Sequence, residues 1–265
     1  MKNYILNYNL EKISKNALLN AGKISLELKK KKISVKYKSK NQPVTEADLK
    51  INEFLKDFFK KTTPNFGWLS EESYDDGSRL KSEYFWCLDP IDGTRSFINK
   101  KPEYTISLAL FRNSNPIIGL LLNPETNELF FAKKNNGAFC NEKKISVGKK
   151  TKINLCKYAI SSSEIKKLSD LNVVNNCNIV SMGSIAYKIA LVAKGKFDIA
   201  ISFTKKNDWD LAAADIILQE AGGMTNQIIG GKIKYNTPDL KIKSVIASNT
   251  LLIPIIKKLL FKKIN

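Results

Sequence analysis

Two aspartates three residues apart, Asp89 and Asp92, have the types and spacing of a metal-binding turn. They follow the apolar run 86–88, and Pro90 and Gly93 shape the turn. A carboxylate at the end of a buried strand is unfavourable unless it is paired or bound to a metal. Mg²⁺ prefers oxygen ligands and is often held by a few carboxylates and a substrate phosphate. The stretch favours metal-assisted chemistry at phosphorus, although alone it also fits a turn with solvated acids.

Other acidic residues occur in comparable settings elsewhere in the chain. Glu71 follows a short apolar step, and Asp210 follows Trp209 directly before an Ala-rich segment. Each of these acids by itself is compatible with an ordinary surface position. Their co-occurrence with the 88–94 stretch indicates one shared carboxylate site. The backbone N–H groups of Gly93 and Thr94 are placed to open a helix and to face an anion there.

The first half of the chain contains the elements that must position these acids. Helical spacing of apolar residues covers 8–31 and resumes after Thr45. Thr45 and Asp48 stand three apart at that second start, in a pattern that resembles a capping box. Strand-like runs separated by turn-forming residues then predict a meandering antiparallel sheet, with strands at 85–88, 105–111, 117–122 and 129–132.

Beyond Lys150 the pattern changes to alternating strands and helices. Strands are expected at 158–161, near Ile179 and at 197–202, and helices at 184–194 and 209–220. The sequence therefore predicts a mixed α/β fold in two parts. Residues 1–150 are expected to form an N-terminal α+β domain with the main metal motifs. Residues 151–265 are expected to form a C-terminal α/β domain that supplies Asp210 and substrate contacts.

The net charge of +19 raises the question of nucleic-acid binding. Only three residues are arginine, whereas arginine is preferred for bidentate contacts with phosphates and bases. We therefore expect a solvated lysine-rich surface that attracts a small phosphorylated metabolite, and no nucleic-acid polymer as partner. The start of the chain lacks a signal-peptide pattern, and no segment has the length of a membrane span. A cytoplasmic protein without stable membrane insertion is expected.

Cysteine and histidine chemistry is not expected. The chain has no histidine, and its four cysteines are far apart, so neither a zinc site nor a disulfide framework is predicted. The four thiols are expected to be buried or incidental, namely Cys87, Cys140, Cys156 and Cys177.

Several short sequence blocks of the chain resemble those of the inositol monophosphatase superfamily of metal-dependent phosphatases. The resemblance extends from Lys38 to Asn236, and the blocks occur in the family's order and approximate spacing. The matching blocks are P-V-T-E-A-D (43–48), L-S-E-E-S (69–73), L-D-P-I-D-G-T (88–94), G-S (183–184), V-A-K-G-K-F-D (192–198), W-D-L-A-A-A-D (209–215) and E-A-G-G (220–223).

This resemblance implies a fold and a metal set. The family fold is an αβαβα sandwich with two sheets. Glu71, Asp89 and the backbone carbonyl of Ile91 are implied to hold one Mg²⁺. Asp89, Asp92 and Asp210 are implied to hold a second, and a third, weaker ion is implied near Glu71.

The resemblance also implies catalytic and substrate-binding roles. Asp48, Thr94 and Glu71 are implied as catalytic residues. Thr94 and Asp48 are implied to orient the attacking water together with Thr45 and the residues around it. The N–H groups of Gly93 and Thr94 are implied to bind phosphate. Three further residues are implied in substrate binding: Lys38, Gly183 and Ser184.

The leaving group is less well defined. Inositol phosphatases of this family typically carry a glutamate seven residues before the W-D aspartate, and this chain has Phe203 there. The segments 93–98 and 102–108 are closer to bacterial 3′(2′),5′-bisphosphate nucleotidases, and Arg95 is a candidate for a second phosphate. The favoured substrate is therefore a bisphosphate nucleotide, followed by inositol 1-phosphate and then histidinol phosphate.

A different class remains as an alternative, namely a non-catalytic basic protein on a phosphatase scaffold. Such a protein would be expected to have lost part of the metal set, which is complete here. Relatives are often homodimers, so a homodimer is one expected assembly, although the sequence carries no decisive interface pattern.

Overall fold

The computed structural model describes residues 8–39, 42–171 and 178–264. Within these ranges, no helix combines the length and apolar character needed to cross a bilayer. Three of the cysteines are free and buried, as expected, and the fourth, Cys177, lies outside the described residues. The helices, in chain order, are α1 (Tyr8–Lys30), α2 (Glu46–Thr62), α3 (Ser78–Lys81), α4 (Thr94–Ile98), α5 (Ile165–Asp170), α6 (Ile185–Ala193), α7 (Asp208–Glu220) and α8 (Leu252–Ile264).

A seven-stranded sheet occupies the first half of the chain. Its edge strand β3 runs parallel to β4, and from β4 onward each strand pairs antiparallel with the next, which confirms the predicted meander. A hairpin of β1 (Val35–Ser39) and β2 (Gln42–Thr45) precedes it. The strands of the sheet, in spatial order, are β3 (Gly67–Ser70), β4 (Tyr84–Asp92), β5 (Thr105–Arg112), β6 (Asn115–Asn123), β7 (Glu128–Lys133), β8 (Ala138–Cys140) and β9 (Lys143–Ile145).

A mixed five-stranded sheet occupies the second half. Its parallel pairs join β10 to β11 and to β12, and antiparallel pairs join β16 to β12 and to β14. A small ladder joins β13 (Lys206–Asn207) to β15 (Lys241–Ile242). The strands of the five-stranded sheet, in spatial order, are β11 (Asn178–Ser181), β10 (Lys157–Ile160), β12 (Ile199–Ser202), β16 (Val245–Asn249) and β14 (Gly223–Asn226).

The helices and sheets stack in five layers. Helices α1 and α2 cover one face of the large sheet through an apolar cluster that includes Leu18, Ile51 and Leu120. Helices α6 and α7 lie between the two sheets, and α8 covers the outer face of the small sheet. The apolar stripe of each helix is thereby buried on a sheet. The predicted αβαβα sandwich with two sheets is confirmed.

The central apolar cluster draws on both halves of the chain. Phe111 and Leu121 of the large sheet belong to the same buried cluster as Ile189 of α6 and Leu218 of α7. A division near residue 150 therefore separates two sheets that share one continuous core. The domain boundary proposed from the sequence stays a prediction.

Helix α7 approaches the large sheet closely at Gly119 of β6. A Cβ atom at this position would lie 2.5 Å from the backbone oxygen of Ala213 and 2.5 Å from Cγ2 of Ile216. Both contacts are shorter than van der Waals separation, and one involves backbone that has little freedom to move. Glycine at this position therefore sets the distance between the sheet and α7, which carries Asp210.

Replacing Gly119 with alanine is expected to destabilise the protein by about 2 kcal/mol, because the added methyl group forces α7 away from the sheet. Chemical denaturation followed by circular dichroism measures this change. Gly231→Ala is the matched control, since a methyl group there meets no atom within 4 Å. Equal stability of the two variants would show that α7 does not depend on this close approach.

Candidate active site

The two aspartates of the 88–94 stretch lie at the end of β4, which is next to the edge strand β3 of the large sheet. Asp89 pairs with Ser107 of β5, and Asp92 pairs with Thr105, with a register shift between them. This irregularity bends the strand end, as a β-bulge does, and changes the direction of its side chains. Asp89 Oδ1 accepts a hydrogen bond from the N–H of Ile91 at 3.0 Å, which holds the turn closed.

Three carboxylates meet at this strand end. Oxygen atoms of Glu71, Asp89 and Asp210 all lie within 4.8 Å of one another. Glu71 directly follows β3, whose parallel pairing with β4 brings both strand ends to the same edge. Asp210 lies in the first turn of α7, where its Oδ2 accepts the N–H of Asn207 at 2.6 Å in a capping box. Three separate elements therefore converge on one point.

The electrostatics of this set favour a bound cation. Burial, followed by the charges of Glu71, Asp92 and Asp210, raises the pKa of Asp89 well above its usual value. Burial and the charge of Asp92 raise the pKa of Asp210 to about 7. Like charges at this separation repel each other in a low-dielectric site, and a hard divalent cation relieves that repulsion. The all-oxygen donor set suits Mg²⁺.

Asp92 is held differently from the other three acids. Its Oδ2 accepts hydrogen bonds from the hydroxyl of Ser184 at 2.5 Å and from the N–H of Ala186 at 2.6 Å. Both donors belong to the start of α6, so this carboxylate connects the end of β4 to that helix. Among the described residues, no donor reaches its Oδ1, which leaves that oxygen available to a ligand.

Asp48 and Thr94 form a second polar group beside the carboxylates. Asp48 Oδ2 accepts the N–H and the hydroxyl of Thr45, at 2.8 and 2.6 Å, and the predicted capping box is confirmed. Burial raises the pKa of Asp48 to about 7, against the opposing hydrogen bonds from Thr45. Thr94 Oγ1 donates to the backbone oxygen of Ile91 at 3.1 Å and lies 3.4 Å from Asp48 Oδ1. The structure thus brings Asp48 and Thr94 together.

Lys38 forms ion pairs with two neighbouring acidic side chains, Glu71 and Glu72. Its ammonium group donates to Glu71 at 2.8 Å and to Glu72 at 2.7 Å. Desolvation opposes the charged form, but these two carboxylates outweigh it and raise the pKa of Lys38. This lysine therefore balances part of the negative charge at the carboxylate end of the site.

The predicted phosphate-binding residues line a cleft of about 450 Å³ next to the carboxylates. Gly93 has a left-handed backbone with φ +99°, and a Cβ atom there would lie 2.9 Å from the backbone oxygen of Glu103. Only glycine tolerates both conditions. Gly183 and Ser184 line the same cleft, and Ser184 is also the residue that holds Asp92.

Lys188, which was not predicted as a site residue from the sequence, contacts a residue that lines the cleft. Lys188 is 1% exposed on α6, and its ammonium group donates to the hydroxyl of Ser161 at 2.7 Å. Burial lowers its pKa to about 8, although the charges of Glu164 and Asp92 oppose this shift. The only available signal was one lysine within the otherwise apolar segment Ile185–Ala193.

Comparison with known proteins gives a consistent result. A model of the inositol monophosphatase family matches residues 7–264. The 3′(2′),5′-bisphosphate nucleotidase CysQ of Haemophilus influenzae is 30% identical over 215 residues, covering 77% of this chain and 78% of that protein. The inositol-1-monophosphatase of Bacillus subtilis is 29% identical over 262 residues, covering 96% of each.

Solved structures agree with these sequence relatives. The IMPase of Thermotoga maritima has a TM-score of 0.85 at 26% identity and covers 97% of this chain and 98% of its own. The suppressor protein SuhB of Bartonella henselae has a TM-score of 0.84 at 25% identity, covering 96% and 99%.

Replacement of Asp92 by asparagine tests the site with little change in volume. An amide oxygen retains the bonds from Ser184 and Ala186, while the negative charge is lost. We expect phosphate release to fall about a hundredfold or more, because metal sites lose at least this much when their ligand set is weakened. The melting temperature is expected to stay nearly unchanged. Asp57→Asn on the exposed face of α2 is the matched control, and full activity of the Asp92 variant would refute the site.

Proposed function

The chain belongs to the inositol monophosphatase family, and we propose that it is a Mg²⁺-dependent phosphomonoesterase that acts on a small phosphorylated metabolite. The observation that carries this proposal is the convergence of Glu71, Asp89 and Asp210 within 4.8 Å, beside a cleft. Burial and mutual repulsion make such a set unfavourable without a cation. The favoured substrate is a 3′(2′),5′-bisphosphate nucleotide.

The donor atoms are proposed to hold two ions, with a third, weaker ion near Glu71. Glu71, Asp89 and the carbonyl of Ile91 are proposed to hold one Mg²⁺, and Asp89, Asp92 and Asp210 the second. When bound, the metal neutralises the phosphate charge, stabilises the leaving oxygen and makes a water molecule more acidic. The bonds from Ser184 and Ala186 to Asp92 orient that carboxylate before any ligand arrives.

Thr94 and Asp48 are proposed to orient the attacking water. The Thr94 hydroxyl donates a hydrogen bond to the backbone oxygen of Ile91 or to Asp48 Oδ1, so its oxygen lone pairs are free to accept a hydrogen bond from water. As the water attacks, Thr94 Oγ1 takes the water proton and passes its own hydroxyl proton to Asp48 Oδ1, while Thr45 holds the opposite oxygen of Asp48. The N–H groups of Gly93 and Thr94 are proposed to bind the phosphate oxygens.

Basic groups behind the carboxylates support a substrate with a second phosphate. Besides burial, the charge of Lys206 lowers the pKa of Lys188. Burial raises the pKa of Asp92, and the charges of both lysines oppose this shift. The charge of Lys206 also opposes the rise that burial causes in the pKa of Asp210. Two cations that repel each other next to a phosphate site are suited to a further anionic group. Ser161, which accepts the bond from Lys188, lines the cleft.

Inositol 1-phosphate is the second candidate substrate. The match to the Bacillus subtilis inositol-1-monophosphatase over 96% of both chains supports it. Phe203 speaks against it, since the ring packs at the small-sheet core, with Lys167 Nζ 5.0 Å from its centre, and offers no acceptor to a hydroxyl. Histidinol phosphate remains the third candidate, and the complete carboxylate set disfavours a non-catalytic binding protein.

Phosphate release from four substrates, with Mg²⁺ and with EDTA, tests the proposed reaction. The panel contains 3′-phosphoadenosine 5′-phosphate, inositol 1-phosphate, histidinol phosphate and fructose 1,6-bisphosphate. We expect hydrolysis that requires Mg²⁺ and is fastest with the nucleotide. Activity that persists in EDTA would refute the metal mechanism. A preference for inositol 1-phosphate would retain the mechanism and reassign the substrate.

Lys188→Met tests the second phosphate. We expect kcat/KM to fall about 10- to 100-fold for the bisphosphate nucleotide, since a charge-assisted hydrogen bond of about 1.5–3 kcal/mol is lost. Inositol 1-phosphate has no second phosphate, so its kcat/KM is expected to change little. Lys205→Met, at an exposed position, is the control. An equal loss with both substrates would show that Lys188 acts on the carboxylate site instead.

A further inference from the structure

Glu103 occupies a position between the phosphate-binding loop and an adjoining pocket. It lies between α4 and β5, and its backbone oxygen faces both glycines of the cleft, with Cβ positions at 2.9 Å for Gly93 and 3.0 Å for Gly183. The side chain lines the main cleft and also a second pocket of about 400 Å³. Glu103 is therefore fixed at the junction of the two cavities by the close packing of its own backbone.

The Glu103 carboxylate has an unmet hydrogen-bonding requirement. Its Oε2 is buried, and no group among the described residues donates a hydrogen bond to it. Oδ1 of Asp208 is also buried without a donor among the described residues, but Asp208 lines neither of the two cavities, whereas other buried carboxylates are held by several donors. Glu164, for example, accepts the N–H groups of Phe203 at 2.6 Å and Thr204 at 3.0 Å. A buried acceptor without a donor is unfavourable, and at a binding site this indicates that a ligand supplies the donor.

The second pocket adjoins the main cleft and has a mixed lining. Ser181 and Met182 line both cavities together with Glu103, so the two cavities adjoin at these residues. Beyond them the second pocket has both apolar and polar lining residues, namely Pro102, Val180, Leu191 and Phe197 together with Thr126, Tyr187, Lys157 and Lys196. Such a mixed lining suits a nucleobase, whose faces are apolar and whose edges carry hydrogen-bonding groups.

We propose that Glu103 determines substrate specificity by accepting a hydrogen bond from the sugar or base of a nucleoside leaving group, whose base lies in the second pocket. This inference rests on the proposed phosphatase function and adds how the leaving group is selected. This chain has phenylalanine at position 203, where inositol phosphatases of the family typically carry a glutamate, and the Glu103 carboxylate is proposed to recognise hydrogen-bond donors instead. Glu103 contacts the leaving group and takes no part in the attack on phosphorus.

Glu103→Ala, assayed with two substrates, tests this role. We expect kcat/KM for 3′-phosphoadenosine 5′-phosphate to fall about 10- to 100-fold, the range for losing a hydrogen bond to a charged group. The kcat/KM for p-nitrophenyl phosphate, whose leaving group has no such donor, is expected to stay within about twofold. Glu103→Gln keeps one acceptor oxygen and is expected to restore part of the nucleotide activity. Glu53→Ala, on the exposed face of α2, is the control.

Thermal stability distinguishes specificity from structural support. Removing an unpartnered buried acceptor is expected to leave the melting temperature of Glu103→Ala unchanged or higher. A lower melting temperature, or an equal loss with both substrates, would overturn the proposal because Glu103 would then support Gly93 and Gly183. An unchanged preference for the nucleotide would overturn it as well.

Binding measurements separate this inference from the proposed reaction. If the wild-type protein hydrolyses neither substrate with Mg²⁺, the phosphatase proposal fails. Calorimetric titration with the same nucleotide, 3′-phosphoadenosine 5′-phosphate, in Mg²⁺ then still tests Glu103, because binding does not require turnover. A roughly tenfold or greater rise in Kd for Glu103→Ala relative to wild type supports the assignment. Equal affinities, or no binding by the wild type, would contradict it.

Discussion

Mutual repulsion among Glu71, Asp89 and Asp210 is the constraint on which the site depends. Their oxygens lie within 4.8 Å of one another, and burial raises the pKa of Asp89 and Asp210. An arrangement of this kind opposes folding unless a cation and rigid surroundings compensate for it. Each acid is accordingly attached to a regular element, at two parallel strand ends and in the first turn of a buried helix. The site is thus preorganised by the most rigid parts of the fold.

The layered architecture supplies that rigidity. Helix α7 is packed between the two sheets, and the missing side chain at Gly119 lets it lie close to the large sheet. Helix α6 begins beside it, where Ser184 and the N–H of Ala186 hold Asp92. The site therefore uses residues from both halves of the chain, and the continuous core between the sheets keeps them in register. Stability of this core and geometry of the site are consequences of the same packing.

The cleft combines satisfied and unsatisfied polar groups in a functional pattern. Asp48 and Glu164 are held by several donors each and have fixed orientations. Oε2 of Glu103, by contrast, is buried without a donor among the described residues. Groups of the first kind define the shape of the site, and groups of the second kind select what enters it.

Local pattern in the sequence determined the family, the carboxylate set and most elements of both sheets. Apolar periodicity, the Thr45 capping box and the 88–94 stretch depend on residues that are close in the chain, so they can be predicted from the sequence. The bond from Ser184 to Asp92, the burial of Lys188 and the unpartnered oxygen of Glu103 were decided only by tertiary structure. All three features depend on residues that are far apart in the chain and come together only in the folded protein. The free energy of a buried polar group depends on the atoms that surround it after folding.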